Sequence, residues 1–238
     1  MQTVHGIITR SIDYQENDKL LNLFTQERGM IFAKAHGAKG FKSEMATASQ
    51  LFVHGEYIIN EKNNKLSFRS AVADELFLPI CRDYEKYKVG CAMLMAINTA
   101  MNEGERNDEC YELLHYALSF LAYSDVNEYD LLSGYLLKLL KFTGFCPSIT
   151  HCANCGEDLR RESTMLFSNQ AGGALCLSCR NTYDAKNVNP LTMEILRRIL
   201  LLETADLVKI AIPEKAQKQV YSTVINYAEY YFETRLFK

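Results

Sequence analysis

In residues 1–78 the apolar positions come in short runs separated by turn residues. Val4, Ile7, Ile8 and Ile12 stand among polar neighbours, Leu20 to Phe24 is almost wholly apolar, and Met30 to Ala35 follows Gly29. Leu51 to Ile59 is rich in β-branched and aromatic residues, and Leu66 to Val72 follows the Asn63-Asn64 pair. Runs of this length bounded by Gly and Asn predict five strands. After Pro79 the period changes. Between Asp83 and Met101 the residues Tyr87, Cys91, Leu94, Met95 and Ile97 recur at helical spacing. Asn107 or Asp108 is placed to cap a second helix running to about Tyr123. A third, Glu128 to Phe142, is apolar nearly all round, which predicts the buried centre of a bundle. Gly144 and Pro147 end it. Two further helices follow, one behind Pro190 with Thr192 near its start and one from Pro213 to Phe237. The last carries a Val220, Val224, Tyr227 and Tyr231 stripe expected to dock on the bundle.

Five strands without helical periodicity predict a small closed or nearly closed barrel. A Greek-key barrel of the oligonucleotide-binding (OB) type has this size, and an SH3-like barrel would give the same pattern. The predicted fold is therefore α+β. A barrel spans 1–78, and an all-α domain at 79–238 carries an inserted module at 151–180, where helical signal is weak.

Of 238 residues, 48% are hydrophobic and 23% charged, as in a globular protein able to bury a core. The longest apolar stretch, Leu131 to Phe142, is interrupted by Ser133, Lys138 and Lys141 and is shorter than the roughly 20 residues of a membrane span. The N-terminus lacks a leader pattern, so a cytoplasmic location is expected. Net charge is −3, which alone speaks against nucleic acid, but the distribution is uneven. Residues 1–78 hold nine basic and nine acidic side chains, yet Arg28 to Ser43 contains Arg28, Lys34, Lys39 and Lys42 with no acid.

Four of the eight cysteines, Cys81, Cys91, Cys110 and Cys146, are scattered in apolar sequence and suggest small core residues. The other four form two Cys-x2-Cys knuckles, Cys152–Cys155 and Cys176–Cys179, separated by 20 residues. Each knuckle can present two thiolates, and two complete a tetrahedron around zinc at about 2.3 Å. Gly156 follows the first knuckle, where positive φ is often needed. Gly172-Gly173 permits a tight turn between short strands near Met165–Ser168 and Ala174–Leu177. Disulfides do not suit a cytoplasmic chain, and no βαβ unit surrounds either pair as redox chemistry would require. An iron–sulfur cluster also uses four thiolates and is the alternative. A catalytic zinc keeps an open position, whereas four cysteines fill the shell, so one structural Zn2+ is expected.

In the basic stretch a strand ending at Ala35 leads into a glycine-bearing loop with Lys39 and Lys42 at its tip. Phe32, Phe41, Phe52, Tyr57 and Phe68 are possible stacking faces for bases. Alternation buries about half of them, and Phe41 is the one expected on the surface. The competing explanation is an ordinary solvated loop. No Walker A, Gly-x-Gly-x-x-Gly, His-Glu-x-x-His or Gly-x-Ser-x-Gly motif occurs, and His5, His36, His54 and His115 do not group with a nucleophile. An enzyme is not expected.

As a set these residues resemble the RecO family of bacterial recombination mediators. The resemblance lies in Gly6-Ile-Ile, in Tyr14-Gln-Glu16-Asn-Asp18 leading to Leu23-Phe24-Thr25, and in Ala35-His36-Gly37-Ala38-Lys39 to Ser43. It continues in Gly144-Phe145-Cys146-Pro147, Cys152-Ala-Asn-Cys155-Gly156, Phe167-Ser168, Ala171-Gly172-Gly173 and Cys176-Leu-Ser-Cys179. It implies an OB-fold barrel, a helical domain and a zinc module. It also implies binding of single- and double-stranded DNA, annealing of complementary strands, and action with RecR to load RecA onto strands coated by single-strand-binding protein. Such a protein would be found with the nucleoid. DNA contact carries onto Lys34, His36, Lys39 and Lys42 through the matched loop; Arg28, Phe41 and Arg69 follow from position, and the acidic Glu103 to Glu112 region is expected to face away from DNA. The alternative from another class is a zinc-ribbon adaptor that binds protein through the Tyr227/Tyr231 stripe and has no DNA affinity of its own.

Overall fold

The computed structural model describes residues 1–40, 44–62, 65–160, 162 and 164–237. The chain forms two compact units, Met1–Tyr123 and Ser124–Lys238.

In the first unit, β1 (Gln2–Tyr14), β2 (Asp18–Thr25), β3 (Gly29–Ala35), β4 (His54–Lys62) and β5 (Lys65–Glu75) close a barrel in the order β1-β2-β3-β5-β4. β1 is long enough to serve two neighbours, pairing with β4 from Gln2 to Ile7 and with β2 from Gly6 to Tyr14. Pairing is antiparallel except between β3 and β5, which meet in parallel over Lys34–Ala35 and Ser67–Phe68. Strand alternation directs Val4, Ile8, Leu21, Leu23, Ile31, Tyr57, Ile59 and Phe68 into the barrel core. A one-turn helix absent from the sequence expectation, α1 (Glu44–Ala48), sends Met45 and Ala48 into the same core. The buried Tyr57 hydroxyl donates to the Ala48 carbonyl at 2.8 Å. Five strands with a helix between the third and fourth make this barrel OB-like. Five residues are too few to display a helical period, which is why α1 escaped the pattern.

The sequence division at 78 lies close to the end of β5, but the compact unit does not stop there. Helices α2 (Leu78–Arg82), α3 (Tyr84–Ala100) and α4 (Asp108–Tyr123) continue it. They cover part of the barrel's outer wall, where Phe24 meets Tyr111 and Phe52 meets Tyr87, each at 5.8 Å between ring centres. Asn107 accepts the Cys110 N–H as a helix cap, as its position suggested.

In the second unit, α5 (Glu128–Phe142) is buried at every position from Asp130 to Leu140. Two charged residues survive there by pairing with backbone. Lys138 donates to the carbonyls of Leu200 and Leu202 at the end of α6 (Pro190–Leu201), and Asp130 accepts the Ile212 N–H at 2.9 Å. α7 (Glu214–Tyr231) lies along α5 and stops at Tyr231, six residues short of the expected end; Glu233 takes a positive φ of 49°. A three-stranded sheet, ordered β7 (Gly173–Leu175), β6 (Met165–Ser168), β8 (Lys186–Val188), completes the unit. The tyrosine end of the α7 stripe meets this sheet. Tyr227 is 2% exposed and packs edge-on against Phe167, and Tyr231 lies 4.6 Å from Tyr227.

Of the four isolated cysteines only Cys110 is buried. Cys91 is half-buried, while Cys81 on α2 and Cys146 after α5 are exposed. Among the described residues no helix is long and apolar enough to cross a membrane.

Candidate nucleic-acid interface and metal centre

The two knuckles are folded toward each other. The first is held to β7 by the Ala153 N–H, which donates to the Ala174 carbonyl at 2.8 Å. Gly156, with φ of 78°, turns the chain so that its N–H returns to the Cys152 carbonyl at 2.9 Å. The second knuckle is a 3-10 turn, Leu177–Cys179, and Arg180 continues it with φ of −52°. This is why glycine follows only the first pair. Gly173 holds the turn before the second knuckle at φ of +143°, and a Cβ there would lie 2.2 Å from the Ser148 carbonyl oxygen.

The four sulfur atoms lie within 4.8 Å of one another, and those of Cys155 and Cys176 are 3.7 Å apart. That separation matches the edge, about 3.8 Å, of a tetrahedron with 2.3 Å metal–sulfur bonds. Burial tends to raise the Cys152 thiol. Backbone N–H groups of Cys155, Cys176 and Asn154 converge on its sulfur and bring it down to about 6. Asn154 Nδ2 also donates to Cys179 Sγ at 3.2 Å, a contact that orients a sulfur ligand. Four sulfurs at this spacing fit a bound metal ion.

The second candidate site is the part of the barrel wall left uncovered by helices. A bulge between Ile8 and Arg10 resets the alternation of β1, so that Arg10, Ile12 and Tyr14 point outward. Across the strands, Arg10 stands opposite Asn22 and Asn22 opposite Phe32; Ile12 stands opposite Leu20 and Leu20 opposite Lys34. Ile12, Tyr14, Leu20 and Phe32 are each 41% exposed, an unusual set for one sheet face. A groove of about 740 Å3 runs over this face and is edged by Arg10, Arg28, Lys34, Lys62, Glu61 and Glu103. Among the described residues β3 pairs with β5 only over Lys34–Ala35 and is bridged to Glu103 at Met30, which leaves the wall open at Phe32. Lys34 Nζ lies 5.0 Å from the Tyr14 ring centre.

Residues 1–73 match the family model described as recombination protein O N terminal, and residues 81–238 match recombination protein O C terminal. The chain belongs to the RecO family. A protein named DNA repair protein RecO from Desulforamulus reducens is 29% identical, over 97% of this chain and 90% of its own length. Its namesake from Thermoanaerobacter sp. is 28% identical over 92% and 87%, and that from Desulfitobacterium hafniense 30% over 74% and 63%.

In this RecO chain the predicted DNA-contact residues do not form an unopposed cationic loop. Lys34 Nζ is 2.8 Å from Asp18 Oδ2 and 3.0 Å from Gln15 Oε1. His36 lies 3.5 Å from the same Asp18 oxygen, Lys39 3.2 Å from Asp13, and Arg28 3.5 Å from Glu61. The stretch without acids in sequence thus meets, in space, acids at the adjoining ends of β1 and β2 and Glu61 of β4. Lys34, then the Gly37 N–H, holds the Asp18 carboxyl below its ordinary range, so it stays ionised. Arg69 is exposed on β5, forms no salt bridge among the described residues and does not edge the groove. Phe41 and Lys42 lie outside the described residues. Of the aromatics considered, Phe32 is on the groove, while Phe52, Tyr57 and Phe68 are buried. Glu103, expected to face away, edges the groove beside Arg28, because the chain after α3 forms a bridge with Met30. Arg10, Ile12, Tyr14, Leu20 and Lys62 were not expected from sequence to be contact residues. Counting alternately from the inward Ile8 would have placed Arg10 and Ile12 inside the barrel.

Proposed function

We propose that this RecO protein binds single- and double-stranded DNA on the open wall of its barrel. There it anneals complementary strands and, with RecR, helps load RecA onto strands coated by single-strand-binding protein. The observation that carries the reading is one face on which half-exposed Phe32 shares a row with Arg10 and half-exposed Tyr14 lies against Lys34. Aromatic faces accept unstacked bases of any sequence, and flanking cations follow the phosphate chain. The ion pairs to Asp13 and Glu61 are partly exposed, contribute little to stability and can exchange for phosphate, whereas the Lys34–Asp18 pair, with side chains 27% and 15% exposed, is more sheltered and costs more to open. The acids still weaken the local field. Binding is therefore moderate and salt-sensitive, with a slope near −3 if about four phosphates are neutralised.

Annealing needs backbone contacts that leave base edges free to pair, so the binding is independent of sequence. No bond is made or broken, and the reading assigns no catalytic residue and no nucleotide hydrolysis. A cytoplasmic protein associated with the nucleoid follows from this role.

The metal we assign is one structural zinc held by Cys152, Cys155, Cys176 and Cys179. Zinc binding to such a set contributes on the order of 10–16 kcal/mol in small peptides. That stabilises a stretch whose strands, β6 and β7, run only four and three residues. The adaptor alternative loses Tyr227, which is buried against Phe167, while Tyr231 stays partly exposed.

Fluorescence anisotropy with a labelled single strand, together with annealing of complementary strands over a salt series, tests the DNA reading. Steep weakening with salt supports it; annealing indifferent to ionic strength overturns it.

A further inference from the structure

The uncovered wall owes its composition to one irregularity, and a single side chain on α3 touches that irregularity from both sides. Up to Ile8 the even-numbered residues of β1 point inward; Val4 and Ile8 are in the barrel core. Beyond the bulge the parity is reversed. Ser11 stands opposite the inward Leu21, while Arg10 and Ile12 face solvent opposite Asn22 and Leu20. At a bulge two residues of one strand share one partner. Here Thr9 and Arg10 together oppose Asn22.

Asn98 sits against this point. Its Oδ1 accepts from Thr9 Oγ1 and from Asn22 Nδ2, both at 2.9 Å. Its Nδ2 donates to the Thr9 carbonyl at 3.0 Å and to the Leu94 carbonyl at 2.7 Å. Both carbonyls can only accept, which fixes the orientation of the amide. Its two donors and two acceptor positions are all used. The contacts reach the bulged residue through side chain and backbone, and the opposing residue through its side chain. Thr9, 3% exposed, is held by α3, and the next residue, Arg10, projects into the groove.

We propose that Asn98 is a positioning residue for DNA binding: by clamping the Thr9 bulge and Asn22 it fixes the register that presents Arg10, Ile12 and Tyr14 on the open wall. The inference rests on the reading of that wall as the DNA site and goes beyond it, since Asn98 itself need not touch DNA. Without the clamp, the regular alternation of β1 competes with the bulged one. The wall then samples states in which Arg10 is turned away.

The test is a double-mutant cycle on the full-length, metal-loaded protein, reading the dissociation constant for a labelled single strand. Asn98→Leu keeps the side-chain volume and removes all four hydrogen bonds. Thr9→Val removes one of them and serves if Asn98→Leu does not fold. The expected result is about a tenfold weakening for Asn98→Leu in the native background, less for Thr9→Val, and under about twofold for either in an Arg10→Ala background. Hydrogen exchange should become faster at Thr9–Ser11 with protection in the rest of the barrel retained. A purely structural role gives the same fold-loss in both backgrounds, and that outcome overturns the proposal. So does native affinity in both clamp variants while Arg10→Ala is weakened, and this leaves the DNA reading intact. If Arg10→Ala and Lys34→Ala both bind as the native protein does, the wall is not the DNA site, and the clamp falls with it.

Discussion

The metal module and the open barrel wall assemble their sites in opposite ways. In the module, neighbours in sequence are neighbours in space: each knuckle supplies two sulfurs across two intervening residues, and one turn brings the pairs within 4.8 Å. On the wall, residues far apart in sequence are brought side by side by strand register, with Arg10, Asn22 and Phe32 forming one row. A locally encoded site survives small shifts elsewhere. A register-encoded site fails when one strand slips or loses a bulge. The contrast predicts a sharp, all-or-none response in the module and graded responses on the wall.

The largest effect is expected at the metal. Cys176→Ser should reduce metal analysis from about one zinc per chain to none and make the stretch from Cys152 to Cys179 sensitive to protease. The barrel should stay folded, because β1–β5 belong to the other compact unit, Met1–Tyr123. Zinc at full stoichiometry in this variant would show that the sulfurs are not the ligands. Iron in place of zinc would make the centre a cluster.

Next comes charge reversal on the wall. Arg10→Glu with Lys34→Glu should weaken single-strand binding by about a hundredfold at low salt and flatten the salt dependence, since two cations become anions beside the groove. Lys39→Glu, whose ammonium lies against Asp13 and outside the groove edge, should cost much less. Equal losses at Lys39 and Arg10 would return the site to the loop.

The same contrast explains what could be learned from the sequence. The knuckles were fully legible, because metal ligation depends on residue type and short spacing alone. Strands and long helices were legible from apolar period, and Gly156 from its place behind a knuckle. The wall was legible only as a basic stretch with aromatics. Three facts lay outside any local pattern: the bulge that turns Arg10 outward, the Asp13 and Asp18 carboxylates that fold back onto the lysines, and the bridge that brings Glu103 to Met30. Each joins residues from different elements. Family likeness carried the expectation where pattern did not: Lys34 and His36 of the matched stretch line the groove, but nothing in the likeness singled out Arg10.

A smaller effect tests whether the aromatic part of the wall acts at all. Phe32→Ala should weaken single-strand binding about tenfold, within the roughly 1–3 kcal/mol of one base stacked on an aromatic ring. It should affect duplex binding less, because paired bases are already stacked. The ring is 41% exposed, so its removal leaves the core intact and the melting temperature close to native. Equal weakening for single strand and duplex would show that Phe32 shapes the groove without stacking.

The smallest effect separates the two units by pH. Between the barrel and α4, the rings of His54 and His115 lie 5.0 Å apart, and His54 Nε2 is 3.1 Å from the Tyr111 hydroxyl. Burial, and then the neighbouring His115, lowers the pKa of His54; burial lowers that of His115, with Asp74 and Glu75 opposing these effects at His54 and Glu75 at His115. The folded unit therefore resists protons that the unfolded chain accepts below about pH 6.5, and stability falls as pH drops through that range. His5 works the other way, because its hydrogen bond to Glu27 raises its pKa and favours the folded state in acid. Hydrogen exchange of α4 amides, compared between pH 7.5 and 5.5 at matched intrinsic rates, should show lost protection in the native protein. His115→Gln should lose less and His5→Gln more. Metal release in acid, which acts on the other unit, does not enter this measurement. An unchanged pH response in His115→Gln would remove the histidine pair as its cause.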